Sequence, residues 1–311
     1  LLRDPRLANT AVAVNEFGDV PLDAGLLDHG GEQTLMLANG CLCCTLSGDL
    51  DTAILRLFSR RESGALPHFA RLIIEPSGLA DPAPIAQAIL RNPVLARALR
   101  LDAIVTVADA LFLRQQLGRQ DTARKQIALA DRLVLAKPDL AGEAGVQAAH
   151  AALRDLNPVA PILVARHGAV DAAALLPPQF LDPQGAAPAR RRSALFAEAV
   201  DTDHLAAVTA VRLSATGPLR WRPVEAWLRR LRLGHGERLL RLKALLHLAD
   251  AAGPVLVQGV HHVLHDPVEL GGWDGEAPHS RLLLVIEGDT AEAIRQSWQA
   301  ALPDLRAPGG D

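Results

Sequence analysis

All three cysteines of the chain lie within four residues, Cys41-Leu42-Cys43-Cys44. Thiolates are preferred ligands of Zn²⁺, Cu⁺ and related ions, and two or three this close can share one ion. Asn39-Gly40 ahead of them reads as a turn. The helix-like run after Cys44 would point its positive end at the sulfurs, which favours the thiolate form. Three thiolates leave a tetrahedral ion one ligand short, so a water, a carboxylate or a histidine would complete the shell. An incomplete shell suits transfer more than permanent structure. A buried structural cysteine and a redox pair are the other readings, although bridging adjacent Cys43 and Cys44 would strain the backbone. So tight a cluster excludes the scattered disulfide framework of secreted domains.

Two further groups could act on a phosphorylated ligand. Ala136-Lys137-Pro138-Asp139 follows the apolar run Leu133 to Leu135 at the place and spacing of the guanine-reading Asn-Lys-x-Asp motif. There an aspartate accepts the ring N–H and amino hydrogens of the base while the lysine stem lies along it; a plain surface turn would carry the same letters. Ile74-Glu75-Pro76-Ser77-Gly78 places a carboxylate where a strand ends, within reach of Mg²⁺, and a glycine amide that could approach a terminal phosphate. Asn15-Glu16-Phe17-Gly18-Asp19, with Asp23 beyond, could order around phosphate and metal as a switch segment, or be an ordinary polar loop.

These groups need a frame. Short apolar runs at 10–15, 33–37, 69–74, 102–107, 132–135 and 161–164 read as buried strands. Helix-like segments at 46–59, 84–90, 111–129 and 142–153 alternate with them. That alternation implies an α/β fold with a mainly parallel sheet and helices on both faces. Asn15, Glu75 and Asp109 stand just after apolar runs, and the carboxyl ends of parallel strands are where such folds bind ligands. From Pro177 to Arg192 the chain turns Pro-, Ala- and Arg-rich and reads as a linker. Beyond it, strands at 207–213, 255–260 and 282–286, an amphipathic stretch at 223–233 and a helix at 291–301 suggest a small α+β unit. The expected division is 1–176, a linker at 177–194, and a second domain at 195–305.

At 311 residues, 49% hydrophobic and 22% charged, the chain has the composition of a globular protein. A formal charge of -3 and a pI near 6.4 argue against broad binding to nucleic acid or an anionic membrane. No apolar run is long enough to cross a bilayer and no leader pattern opens the chain, so the cytoplasm is the expected compartment. His261, His262 and His265 could form a secondary metal site, but loop or edge positions explain them as well; His29 and His167 carry the same reading. Trp221, Trp227, Trp273 and Trp298 read as packing residues.

In this order, VNEFGDV, NGCLCC, IIEPSGLADPAPI, TVADA and QIALADRLVLAKPDL, then NPVAP, RLLRLKALL, VQGVHHV and PHSRLLLVI, resemble the CobW branch of the metallochaperone GTPases, P-loop proteins of the SIMIBI class. The matching stretches span nearly the whole chain. The resemblance implies a P-loop NTPase-like domain followed by a CobW-type C-terminal domain. It also implies slow GTP hydrolysis with Mg²⁺, and Zn²⁺ or Co²⁺ bound and delivered to a client metalloprotein, with a homodimer left open. By residue, it implies Cys41, Cys43, Cys44 and Asp19 at the metal, Lys137, Asp139 and Asn15 at the nucleotide, and Glu75, Gly78 and Asp23 at Mg²⁺, γ-phosphate and switch positions. Ala136 departs from the family's Asn, Thr or Ser, which removes a polar brace of the nucleotide loop. The family also opens with a strand and a G-x-x-x-x-G-K-[ST] loop that cradles the phosphates. Neither is in this sequence, and none of its three lysines, Lys125, Lys137 and Lys243, follows a glycine. The expectation is a chain truncated ahead of Leu1, with Leu1 to Leu7 ending the helix after that loop. A chain truly this short should bind GTP poorly and serve as a nucleotide-independent metal binder.

Overall fold

The computed structural model describes residues 4, 7, 9–14, 34–36, 48–175, 208–273 and 277–307. They fall into two compact units. One holds the described residues up to Leu101 with Val170–Ala172, and the other holds the rest.

In the first unit β1 (Thr10–Val14) lies between β2 (Thr34–Met36) and β3 (Arg71–Glu75), both parallel to it. The connecting helix α1 (Gly48–Glu62) buries Leu50, Ile54 and Leu57, one stripe at helical spacing. Leu50 and Ile54 pack with Ile89 of α2 (Pro82–Arg91), Leu95 of α3 (Pro93–Ala98) and the half-buried Leu72 and Ile74 of β3. Asn92 joins these helices. Its N–H closes α2 on Ala88 O, its Oδ1 accepts from the Val94 and Leu95 amides at 3.0 and 3.3 Å, and its Nδ2 donates to Asp51 Oδ2 at 2.8 Å. In the last turn of α1, Arg61 stacks on Phe58 and Phe69 at 4.9 and 5.0 Å.

The second unit begins with three more parallel strands, β4 (Val105–Asp109), β5 (Arg132–Ala136) and β6 (Ile162–Ala165), with β5 in the middle. Leu133, Val134 and Leu135 are buried, as a central parallel strand covered on both faces requires. The expected single helix at 111–129 is two, α4 (Leu113–Arg119) and α5 (Asp121–Leu129), broken at Gln120, whose extended backbone ends one and opens the other. The segment α6 (Pro138–Leu156) also breaks. Gly142 has φ 67 and ψ 173, a conformation that glycine alone adopts without strain, so the first turn after β5 is separate from the longer helix. Buried Asn157 then locks the layer: Nδ2 donates to Ile127 O at 2.8 Å and Ala130 O at 2.9 Å, while Oδ1 accepts from the Val159 and Ala160 amides. A short helix, α7 (Ala172–Leu175), follows β6.

The remainder is an antiparallel sheet in the order β10 (Val263–Leu264), β9 (Val255–Val260), β8 (Leu239–Leu246), β12 (His279–Glu287), β7 (Val208–Thr216), with β11 (Val268–Glu269) also on β9. Its helices are α8 (Trp221–His235) and α9 (Ala291–Leu305). Trp227 and Trp298 meet edge to face at 4.9 Å, and their indole N–H groups donate to Ser297 Oγ and Ser214 O, both at 3.1 Å. The packing role read for these two tryptophans is what the structure shows.

β8 was not among the expected strands. Leu242, Ala244 and Leu246 face the helix-covered core, while Arg241 and Lys243 alternate with them. Arg241, Lys243 and the Asp131 side chain are 4–7% exposed and form a buried ion cluster where β8 meets the start of β5. No helix of the described residues is long and apolar enough to cross a membrane.

Candidate nucleotide and metal site

The carboxyl ends of the parallel strands carry the candidate groups. In the first unit β3 ends on Glu75, which is exposed and pairs in register with Val14, the residue before Asn15. Pro76, Ser77 and Gly78 turn the chain toward α2, with Ala80 N–H donating to Ser77 O at 2.9 Å. Asp81 caps α2 by accepting from Ala83 N–H at 2.9 Å, and Pro82 opens the helix. Gly78 is exposed, and a Cβ there would meet nothing within 4 Å. The loop is an open, capped strand-to-helix turn that leaves a carboxylate and a bare backbone accessible.

In the second unit β5 ends on Ala136 and the chain turns sharply. Lys137 sits in the left-handed region at φ 55, ψ 41, an uncommon conformation for a side chain of this size. Pro138 starts the following turn, and Leu140 N–H donates to Lys137 O at 3.2 Å. Asp139 is exposed in that first turn.

Lys137 Nζ is held by Asp109 Oδ2 at 2.8 Å. Asp109 ends β4, in register with Ala136, and its Oδ1 accepts from the Leu111 and Phe112 amides at 2.9 and 3.3 Å. Burial alone would raise the Asp109 carboxyl, but the lysine and the two amides outweigh it and hold the carboxyl below its usual range. The alanine at 136 brings no side-chain hydrogen bond to the loop. Its backbone carbonyl accepts from Ala110 N–H at 2.9 Å, and the Asp109–Lys137 pair adds a second tie to β4.

Reading the sequence located Lys137 and Asp139 but not the partnership of Lys137 with Asp109. The signal was the equal placement of both residues at the ends of apolar runs. The cluster of Asp131, Arg241 and Lys243 was missed altogether; its signal is two cations inside an apolar run, where a buried counter-charge must exist.

Asn15, Asp19, Asp23, Cys41, Cys43 and Cys44 lie outside the described residues. Among the described residues no three His, Cys, Asp or Glu side chains group as a metal site. His261 (φ 51) and His262 form the turn between β9 and β10, and buried His265 bonds through Nδ1 to Asp266 O at 2.7 Å. Those positions fit the loop-and-edge reading of these histidines.

Residues 1–164 match the model of the CobW/HypB/UreG nucleotide-binding domain, and residues 208–302 that of the cobalamin synthesis protein cobW C-terminal domain. The zinc chaperone YjiA of Escherichia coli (strain K12) is 30% identical over 289 residues, 93% of this chain and 88% of the relative. The zinc-regulated GTPase metalloprotein activator 1 of Schizosaccharomyces pombe is 33% identical over 168 residues, covering 52% of this chain and 40% of that protein. The crystal structure of the Zn(II)-bound YjiA GTPase from E. coli superposes with a TM-score of 0.64 at 27% identity, covering 96% of this chain and 90% of that one.

Proposed function

The chain belongs to the CobW/HypB/UreG family of nucleotide-binding proteins, and from that premise we propose that it is a GTP-dependent metallochaperone which carries Zn²⁺ to client metalloproteins. The observation that carries the nucleotide half is the turn after β5. There Lys137 is held in a left-handed conformation by Asp109, and Asp139 stands exposed two residues on. In this reading the Lys137 stem lies along a guanine base and Asp139 accepts its ring N–H and amino hydrogens, with Asn15 beside the nucleotide. Glu75, Gly78 and Asp23 serve Mg²⁺ and the terminal phosphate; when bound, the ion neutralises charge that develops on the transferred phosphoryl group.

The cargo site in this proposal is Cys41, Cys43 and Cys44 with an oxygen from Asp19. The zinc assignment is supported by three thiols within four residues and by relatives named as zinc chaperones. The same donors accept Co²⁺, because divalent ions follow a common affinity order at such ligands. We place the nucleotide domain at 1–176, the linker at 177–194 and the C-terminal domain at 195–305, a division supported by the two family matches. The protein acts in the cytoplasm, where thiols stay reduced.

A second reading is nucleotide-independent metal binding, favoured by Ala136, which brings no side-chain hydrogen bond to the nucleotide loop. Equilibrium binding of labelled GTP and ATP with Mg²⁺ separates the two. The proposal expects GTP to bind more tightly than ATP and Asp139→Ala to lower GTP affinity about 10- to 100-fold, the worth of a charge-assisted hydrogen-bond pair. Equal affinity for both nucleotides, or a variant that binds GTP as tightly as the parent, contradicts it.

A further inference from the structure

The buried ion cluster beneath β8 is short of negative charge. Among the described residues Asp131 is its one carboxylate, and both of its oxygens are fully engaged. Oδ1 accepts from Lys243 Nζ at 2.6 Å and Arg241 Nε at 3.3 Å; Oδ2 accepts from Arg241 Nη2 at 3.0 Å and the Ile104 amide at 2.8 Å. A carboxylate has about four acceptor positions, so it has no room for another donor. Yet a third cation, Arg132, is only 6% exposed at the same place, and its Nη1 donates at 2.8 Å to the neutral backbone carbonyl of Asp131. Arg241 spends its further contacts on Gly259 O and Gln258 Oε1, also neutral. Three buried cations therefore share one carboxylate.

All four side chains line one small cavity of about 30 Å³, whose other walls are Ala130, the backbone turn at 159–161, Leu283 and Val285. Among the described residues, none of those walls carries an acid. The proton equilibria agree with the geometry. Burial pushes the Lys243 ammonium and the Arg132 guanidinium down, and for Lys243 the neighbouring Arg241 and Arg132 add to that push against the single pull of Asp131.

A buried cation without a counter-charge is costly, and a cavity of this size has room for about two waters or one ion of chloride size. We propose that this cavity, walled by Arg132, Arg241 and Lys243 at the junction of β8 and β5, is a binding site for a small monovalent inorganic anion of the chloride class. The anion supplies the negative charge that Asp131 alone does not and stabilises the contact between the antiparallel sheet and the β4–β6 layer.

The test exchanges chloride for gluconate, a much larger anion, at fixed ionic strength and follows unfolding of the full chain. A single site multiplies the folding constant by one plus the ratio of anion concentration to Kd. Between chloride-free buffer and about nine times Kd, the folding constant should rise about tenfold. Arg132→Leu, which leaves the Asp131 pairs in place, should be more stable than the parent in gluconate and lose the chloride response. Lys243→Met should also lose it. In crystals grown with bromide, an anomalous peak should lie within hydrogen-bond distance of Lys243 Nζ. A parent protein indifferent to the exchange, variants that keep the parent's response, or a bromide-free cavity would each overturn the proposal.

Discussion

Replacing Asp131 by asparagine tests how the two sheets of the second unit are joined. The substitution keeps the shape of the side chain and removes its charge, leaving Arg241 and Lys243 buried at 4% and 7% exposure with no anion from the protein between them. Breaking a buried ion pair from one side typically costs about 3–5 kcal/mol. The proton linkage gives an independent lower figure. Burial alone would raise the Asp131 carboxyl, but Arg241, Lys243 and the Ile104 amide bring it down from its ordinary 3.8 to about 2. At about 1.4 kcal/mol per unit, that shift corresponds to about 2 kcal/mol. Because the folded value is the depressed one, this stability is fully present above about pH 4 and is lost as the pH falls toward 2. Urea unfolding of parent and Asp131→Asn at pH 7 should therefore differ by about 2–5 kcal/mol with unchanged m. Across pH 4 to 2 the parent should lose about 2 kcal/mol more than the variant. A loss below about 1 kcal/mol at pH 7, or the same acid response in both proteins, would show that Asp131 does not join the two sheets in this way. Replacing Asp131, Arg132, Arg241 and Lys243 together by leucine should be far less damaging than Asp131→Asn, since none of the four charges is then stranded.

Three other substitutions probe separate parts of the structure. Asn157→Ala should cost at least about 2 kcal/mol in urea unfolding, because it strands the Ala130 carbonyl and the Val159 and Ala160 amides in the interior. Trp298→Ala should cost about 3–5 kcal/mol through the cavity it opens against Trp227, with its loss read in the same assay. Asp109→Asn should cost less than about 1 kcal/mol, since Lys137 is 56% exposed and its pair is screened by solvent. The same variant should weaken guanine nucleotide binding by up to about fivefold by releasing the lysine, as measured by equilibrium titration.

Much of the frame was legible because it follows from one-dimensional patterns. The run Arg132 to Leu135 reads as a buried strand because its apolar residues are continuous, and the turn after it reads as a site because a lysine and an aspartate follow at once. β8 was not legible in the same way. Its six apolar residues of eight are interrupted by Arg241 and Lys243, which look like solvent-facing positions until Asp131, 110 residues from Arg241, is known to face them. Tertiary pairing, not local preference, buries those charges. The breaks at Gln120 and Gly142 were hidden for a related reason. Neither interrupts the helix-like composition around it, and only the backbone angles reveal that the chain changes direction. The candidate site divides similarly. Lys137, Asp139, Glu75 and Gly78 are found at strand ends where the alternating pattern puts them, while the tie from Asp109 to Lys137 depends on the register of β4 against β5.

The central claim is that one protein couples guanine nucleotide to a thiolate-bound metal. It is tested most directly by anaerobic Zn²⁺ titration against a competing chelator, with and without GTP and Mg²⁺, on the parent and on Cys43→Ala. The parent should bind Zn²⁺ tightly, its Zn²⁺ affinity should change when GTP is present with an equal reciprocal change in GTP affinity, and the variant should lose tight binding. The same Zn²⁺ affinity with and without GTP, or undiminished binding by Cys43→Ala, would contradict it.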